Sequence, residues 1–102
     1  MITIKNMKEN VVIIGVALKG AVREDLDSSL EELKQLSITA GANVIEAISQ
    51  NLTSINPSTY IGKGKIEELA NLIADKEIQL AIFDDELSPA QASNLEKKWS
   101  VP

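Results

Sequence analysis

Apolar positions along this chain switch between two periods. Residues 11–18, VVIIGVAL, form an unbroken apolar run rich in β-branched side chains. Such a run reads as a strand buried on both faces, the pattern of a parallel sheet. Gly15 interrupts it, and a glycine inside a strand marks a bulge or a close backbone approach. Leu26, Leu30 and Leu33, followed by Ser37 and Ala40, then recur at helical spacing. The spacing predicts a helix over 27–40, with Ser28 and Glu31 set as a capping box and Gly41 as the stop. Residues 43–49, NVIEAIS, predict a second strand, and QNLTSINPSTYI a loop that turns at Asn56-Pro57. From Lys63 to Lys76, Ile66, Leu69, Ala70 and Ile73 give one apolar face of a second helix. QLAIFD, 79–84, predicts a third strand. Ser88 is a cap followed by proline at the first helical position, and Ala92, Leu95 and Trp99 carry a third helix. SVP then opens a fourth strand, where the sequence stops.

The order β-α-β-α-β-α with short connections predicts an α/β class: one small domain over 1–102, built on a parallel sheet with right-handed crossovers. A flavodoxin-like strand order 2-1-3 follows, with the fourth strand truncated. In that order the strand at 79–84 keeps one open edge, a template on which a second copy could pair. All strand-to-helix connections of such a sheet lie at its carboxyl edge, where ligands bind. Lys19, Arg23, Lys63 and Lys65 therefore share one edge with Asp84, Asp85 and Glu86.

Composition narrows the chemistry. The 102 residues are 44% hydrophobic, with Tyr60, Phe83 and Trp99 the only aromatic residues, which is a globular composition. The longest apolar run is too short to span a bilayer, and MITIKNMKEN lacks the apolar core of a signal peptide, so a cytoplasmic location is expected. Without cysteine or histidine the chain has no disulfide, none of the usual zinc ligands and no histidine base. A net charge of −5 argues against a surface that binds nucleic acid all over, while leaving room for a local basic patch.

Three readings compete for YIGKGKIEEL. A nucleotide loop fails on spacing: GVALKGAV has Ala21 and Val22 where a P-loop needs Lys and Ser or Thr, and Glu67 replaces the third glycine of a dinucleotide fingerprint. Free N–H groups at a helix start, flanked by Lys63 and Lys65, attract phosphate without a strict motif. Alternatively, Gly62 and Gly64 only permit a tight turn into the helix. The acids of FDDEL, Asp84, Asp85 and Glu86, suit Mg²⁺ at a strand end or simply precede a helix. An enzyme domain holding a phosphorylated ligand, with Lys63 and Lys65 on phosphate and Asp84 and Asp85 on Mg²⁺, is the rival class. Neither of the other strand ends offers an acid or a nucleophile to complete it.

YIGKGKIEEL followed by IFDDELSPAQASNLE, and preceded by LEELKQLSITAGANVIEAISQ, resembles the N-terminal domain of the HflX family of translational GTPases. The resemblance covers about residues 11–102. It implies a fragment of a longer protein that also carries a helical hairpin and a P-loop GTPase domain, both absent from these residues. It implies association with the large ribosomal subunit and its rRNA, and a regulatory role toward the protein's own GTPase domain and hairpin. GTP and Mg²⁺ would belong to the absent domain, leaving no cofactor and no catalytic residue here. Gly62, Lys63, Gly64 and Lys65 match the family's glycine-lysine motif, and Asp84, Asp85 and Glu86 its acidic one. The resemblance thus points Lys63 and Lys65, with Lys19 and Arg23, toward rRNA or a neighbouring domain.

Overall fold

The computed structural model describes residues 9–19 and 23–102, with the side chains of Arg23 and Glu24 outside that description. The elements are β1 (Asn10–Leu18), α1 (Arg23–Thr39), β2 (Asn43–Leu52), α2 (Lys63–Asp75), β3 (Leu80–Phe83) and α3 (Pro89–Trp99). The strands form a parallel sheet ordered β2-β1-β3, the order expected from the pattern. β1 is central, and its continuous apolar run serves both faces. Val12, Ile14 and Val16 join Ile66, Leu69 and Ile73 of α2 and Leu95 and Trp99 of α3 in the larger core. Val11, Ile13 and Ala17 pack with Leu26 and Leu30 of α1 in the smaller one.

Gly15 marks a close approach: a Cβ there would stand 2.7 Å from Leu30 Cδ2 and 2.9 Å from Leu26 Cδ1. The register irregularity lies elsewhere, between Val11 and Val12, opposite Val44 and Glu46. The same contact corrects the start of α1. The helix begins at Arg23, so Ser28 and Glu31 lie inside it and form no capping box. Leu26 and Leu30 sit one turn apart over Gly15, and only a helix already formed at Leu26 places both there. The stop at Gly41 is as expected. With φ +103 it closes a Schellman motif, Gly41 N–H donating to Ile38 O (2.9 Å) and Ala42 N–H to Ser37 O (3.0 Å).

β2 runs past the predicted end at residue 49. Gln50, Asn51 and Leu52 pair with Val16, Ala17 and Leu18, and Lys19 N–H donates to Leu52 O at 2.8 Å. The polar side chains of Gln50 and Asn51 hid a ladder that the long central strand demands. Val101 and Pro102 do not form a strand, but the Pro102 carbonyl accepts from Ala81 N–H at 3.0 Å. The outer edge of β3 is therefore partly occupied, where the sequence predicted it wholly unpaired.

Candidate functional site

The carboxyl edge gathers the two sequence motifs. Gly62 is the N-cap of α2, with φ −74 and ψ 161 and no side-chain cap. Gly64 lies in the first turn, and a Cβ at either glycine would meet nothing within 4 Å. Neither position needs positive φ or extra space, so the tight-turn explanation of the glycines fails. The left-handed conformation falls instead on Tyr60, at φ 70, a genuine outlier for a bulky side chain.

Tyr60 is held there from both sides. Asn56 Oδ1 accepts from the Ser58 and Thr59 N–H groups at 2.8 and 3.2 Å, an Asx turn. The backbones of Asn56 and Tyr60 exchange hydrogen bonds of 3.2 and 2.8 Å. α3 fastens the loop: Gln91 Nε2 donates to Asn56 O and Asn94 Nδ2 to Ser58 O, each at 2.9 Å. Gln91 can reach because it also completes the capping box with Ser88. Trp99 Nε1 donates to Ile66 O at 3.1 Å, tying α3 to α2.

The Tyr60 ring meets Phe83 edge-on (5.9 Å between centroids), and Phe83 stacks with Trp99 (6.3 Å). All three aromatic residues thus form one file through the larger core. The Tyr60 hydroxyl donates to the Asp85 carboxylate, joining the glycine-lysine loop to the acidic loop. Burial, that hydrogen bond and the Asp85 and Asp84 charges push the Tyr60 hydroxyl up to about 12. Burial first, then the neighbouring Asp85 and Glu32 carboxylates, raises Asp84 above the ordinary aspartate value. Asp85 is thus engaged by Tyr60, while the charge of the exposed Glu32 on α1 adds to the rise at Asp84. Glu86 is exposed. Among the described residues no group of three acidic, histidine or cysteine side chains converges as a metal site.

The predicted cations divide. Lys65 Nζ pairs with Glu68 Oε2 at 2.9 Å, with the lysine side chain only 19% exposed. Lys63 is exposed and lines an open groove of about 310 Å³ with Asn56, Ser58, Thr59, Glu67 and Lys98. Lys98 was invisible to sequence reasoning because it lies in the last turn of α3, far from the motif in sequence. Lys19 is exposed at the end of β1, and the Arg23 backbone opens α1 at the same edge, its side chain outside the described residues.

The family described as GTP-binding GTPase N-terminal matches residues 27–102. A protein named GTPase HflX from Lacrimispora saccharolytica is 43% identical over 94% of this chain and 22% of its own length. GTPase HflX of Flavobacterium psychrophilum is 38% identical over 87% of this chain and 22% of its length. GTPase HflX of Escherichia coli is 32% identical over 67% of this chain and 16% of its length. The chain thus spans about a fifth of the length of the curated relatives it matches.

Proposed function

The chain belongs to the GTP-binding GTPase N-terminal family, the N-terminal domain of HflX proteins, and on that basis we propose that it is a ribosome-contacting and regulatory module. In this reading it works in the cytoplasm, within a longer polypeptide whose other parts bind GTP and Mg²⁺. It touches the phosphate backbone of rRNA in the large subunit and does not itself hydrolyse GTP. The observation that carries the reading is the start of α2. Two glycines stand there without an internal structural need, beside the exposed Lys63 and across a groove from Lys98. Free helix N–H groups and open glycine backbone let a phosphate approach closely. Lys65 contributes less, because Glu68 already neutralises it.

Co-sedimentation of the full-length protein with ribosomes tests this across a salt series. Removing one lysine that neutralises a phosphate lowers the log-log salt slope by about one. Lys63→Ala/Lys98→Ala is expected to weaken binding and flatten the slope, and Lys65→Ala to do less. Stability should stay within about 0.5 kcal/mol, as for other surface substitutions. Unchanged affinity and slope in the double variant would refute the contact. The rival enzyme reading is not favoured, since Asp85 is engaged by Tyr60 and no third metal ligand joins the pair among the described residues.

A further inference from the structure

Side chains of α3 donate to carbonyls on both sides of the turn into α2. Gln91 Nε2 reaches Asn56 O and Asn94 Nδ2 reaches Ser58 O, each at 2.9 Å, and Trp99 Nε1 reaches Ile66 O at 3.1 Å. Asn56, Ser58 and Ile66 all line the Lys63 groove, as does Lys98 of α3 itself. Gln91, Asn94 and Lys98 stand at i, i+3 and i+7, so they share one face of the helix. The face of α3 that supplies the second lysine is thus the face that ties the opposite wall. Gln91 is buried, 8% exposed, and its Oε1 accepts from Ser88 N–H at 2.9 Å to complete the cap. Glutamate serves a capping box equally well, so the cap does not explain an amide at this position. What the amide adds over a carboxylate is a donor, and that donor goes to Asn56 O. The same carbonyl accepts from Tyr60 N–H at 2.8 Å, which uses both its lone pairs. Tyr60, at φ 70, holds a backbone conformation that persists only where its surroundings over-determine it.

We propose that Gln91 and Asn94 are positioning residues of the Lys63 groove, holding the loop before α2 at a fixed span from Lys98 through the Asn56 and Ser58 carbonyls. The inference rests on the phosphate-contact reading of that groove. Neither residue needs to touch the phosphate. Each acts through the loop backbone, which carries the strained Tyr60 and leads directly into Gly62 and Lys63. With the two amides in place, the lysines on α2 and α3 meet a partner without first having to order the loop between them, and pre-organisation of this kind raises affinity without adding a contact. Without them the turn at Asn56 keeps its own hydrogen bonds but loses its fastening to α3, and the loop opens more often.

Two variants and two readouts test this. Gln91→Glu keeps the cap and turns the donor to Asn56 O into an acceptor; Asn94→Ala removes the donor to Ser58 O without adding a charge and keeps the test open if the first variant folds poorly. In hydrogen exchange of the 102-residue chain, the Ser58, Thr59 and Tyr60 amides are expected to exchange about three- to tenfold faster in either variant, the scale of one lost hydrogen bond. The amides of Ile13 and Ile14 in the core should exchange as before. Unaltered loop amides, or core amides that speed up equally, would overturn the proposal, the latter by showing a loss of global stability alone. In ribosome co-sedimentation of the full-length protein, Asn94→Ala should weaken binding about three- to tenfold while leaving the log-log salt slope unchanged, since no lysine is removed. Placed on top of Lys63→Ala/Lys98→Ala it should add nothing, because it acts through those lysines. The same loss in both backgrounds would overturn the positioning role. Loosened loop amides with unaltered affinity in every variant, the lysine pair included, would refute the phosphate reading instead, so the two fail separately.

Discussion

Glu77 sits in the left-handed region, at φ 54, where it ends α2. Ile78 N–H reaches back to Ile73 O at 2.9 Å, and both isoleucines are buried, as in a Schellman cap that glycine usually supplies. A side chain there costs about 1–2 kcal/mol, against which glycine loses more entropy on folding. Glu77→Gly is therefore expected to stabilise the domain by a net of about 0.5–1 kcal/mol in urea unfolding. Asp84 gives a second prediction at this scale. Its folded-state value lies above that of the unfolded chain, so its contribution is most favourable at pH below the ordinary value of 3.8 and is lost as pH rises through the folded one. Asp84→Asn should raise the melting temperature at neutral pH, and the gain should vanish near about pH 3, where both forms are neutral. A gain that persists in acid would show that charge is not its cause. Gly15 and Gly41 could be read from the sequence because glycine is the residue such positions demand. Tyr60 and Glu77 could not, since nothing in their chemistry announces a positive φ.

At the scale of elements, the helix signals succeeded where a cap competes with no tertiary contact. Ser88-Pro89 opens α3 as expected, and Gln91 completes the box. Ser28 and Glu31 had the same spacing but yielded to the packing of Leu26 and Leu30 on Gly15. The start of α2 followed from periodicity alone, whereas its meaning did not: the sequence showed two lysines together, and folding paired one with Glu68 and set the other across from Lys98. Gly64 separates the structural from the functional requirement. It sits in ordinary helical backbone with open space around it, and alanine is about 1 kcal/mol better than glycine in a helix interior. Gly64→Ala is expected to raise unfolding stability by up to about that amount. Where a partner's phosphate approaches the backbone, the added methyl should at the same time weaken ribosome co-sedimentation. A variant that gained stability while binding as before would leave the glycine without a role in contact.

For the molecule as a whole, strand order was legible because β1 is apolar on both faces and must be central, which leaves β2 and β3 as edges. What lay beyond the sequence pattern was how far each edge is finished. β2 gains its last rungs from the length of β1, and β3 has one outward N–H taken by Pro102. The rest of that edge remains the route by which two copies of the 102-residue chain can meet. Leu80–Phe83 is apolar at every position and half-buried, with no charge or proline to discourage pairing. We expect weak self-association of the isolated chain through this strand, growing from micromolar to millimolar concentration in sedimentation experiments. The Pro102 contact makes it weaker than a wholly open edge would allow, so removing Val101 and Pro102 should strengthen it. A chain that stays monomeric at millimolar concentration both with and without its last two residues would show that β3 is not a pairing edge.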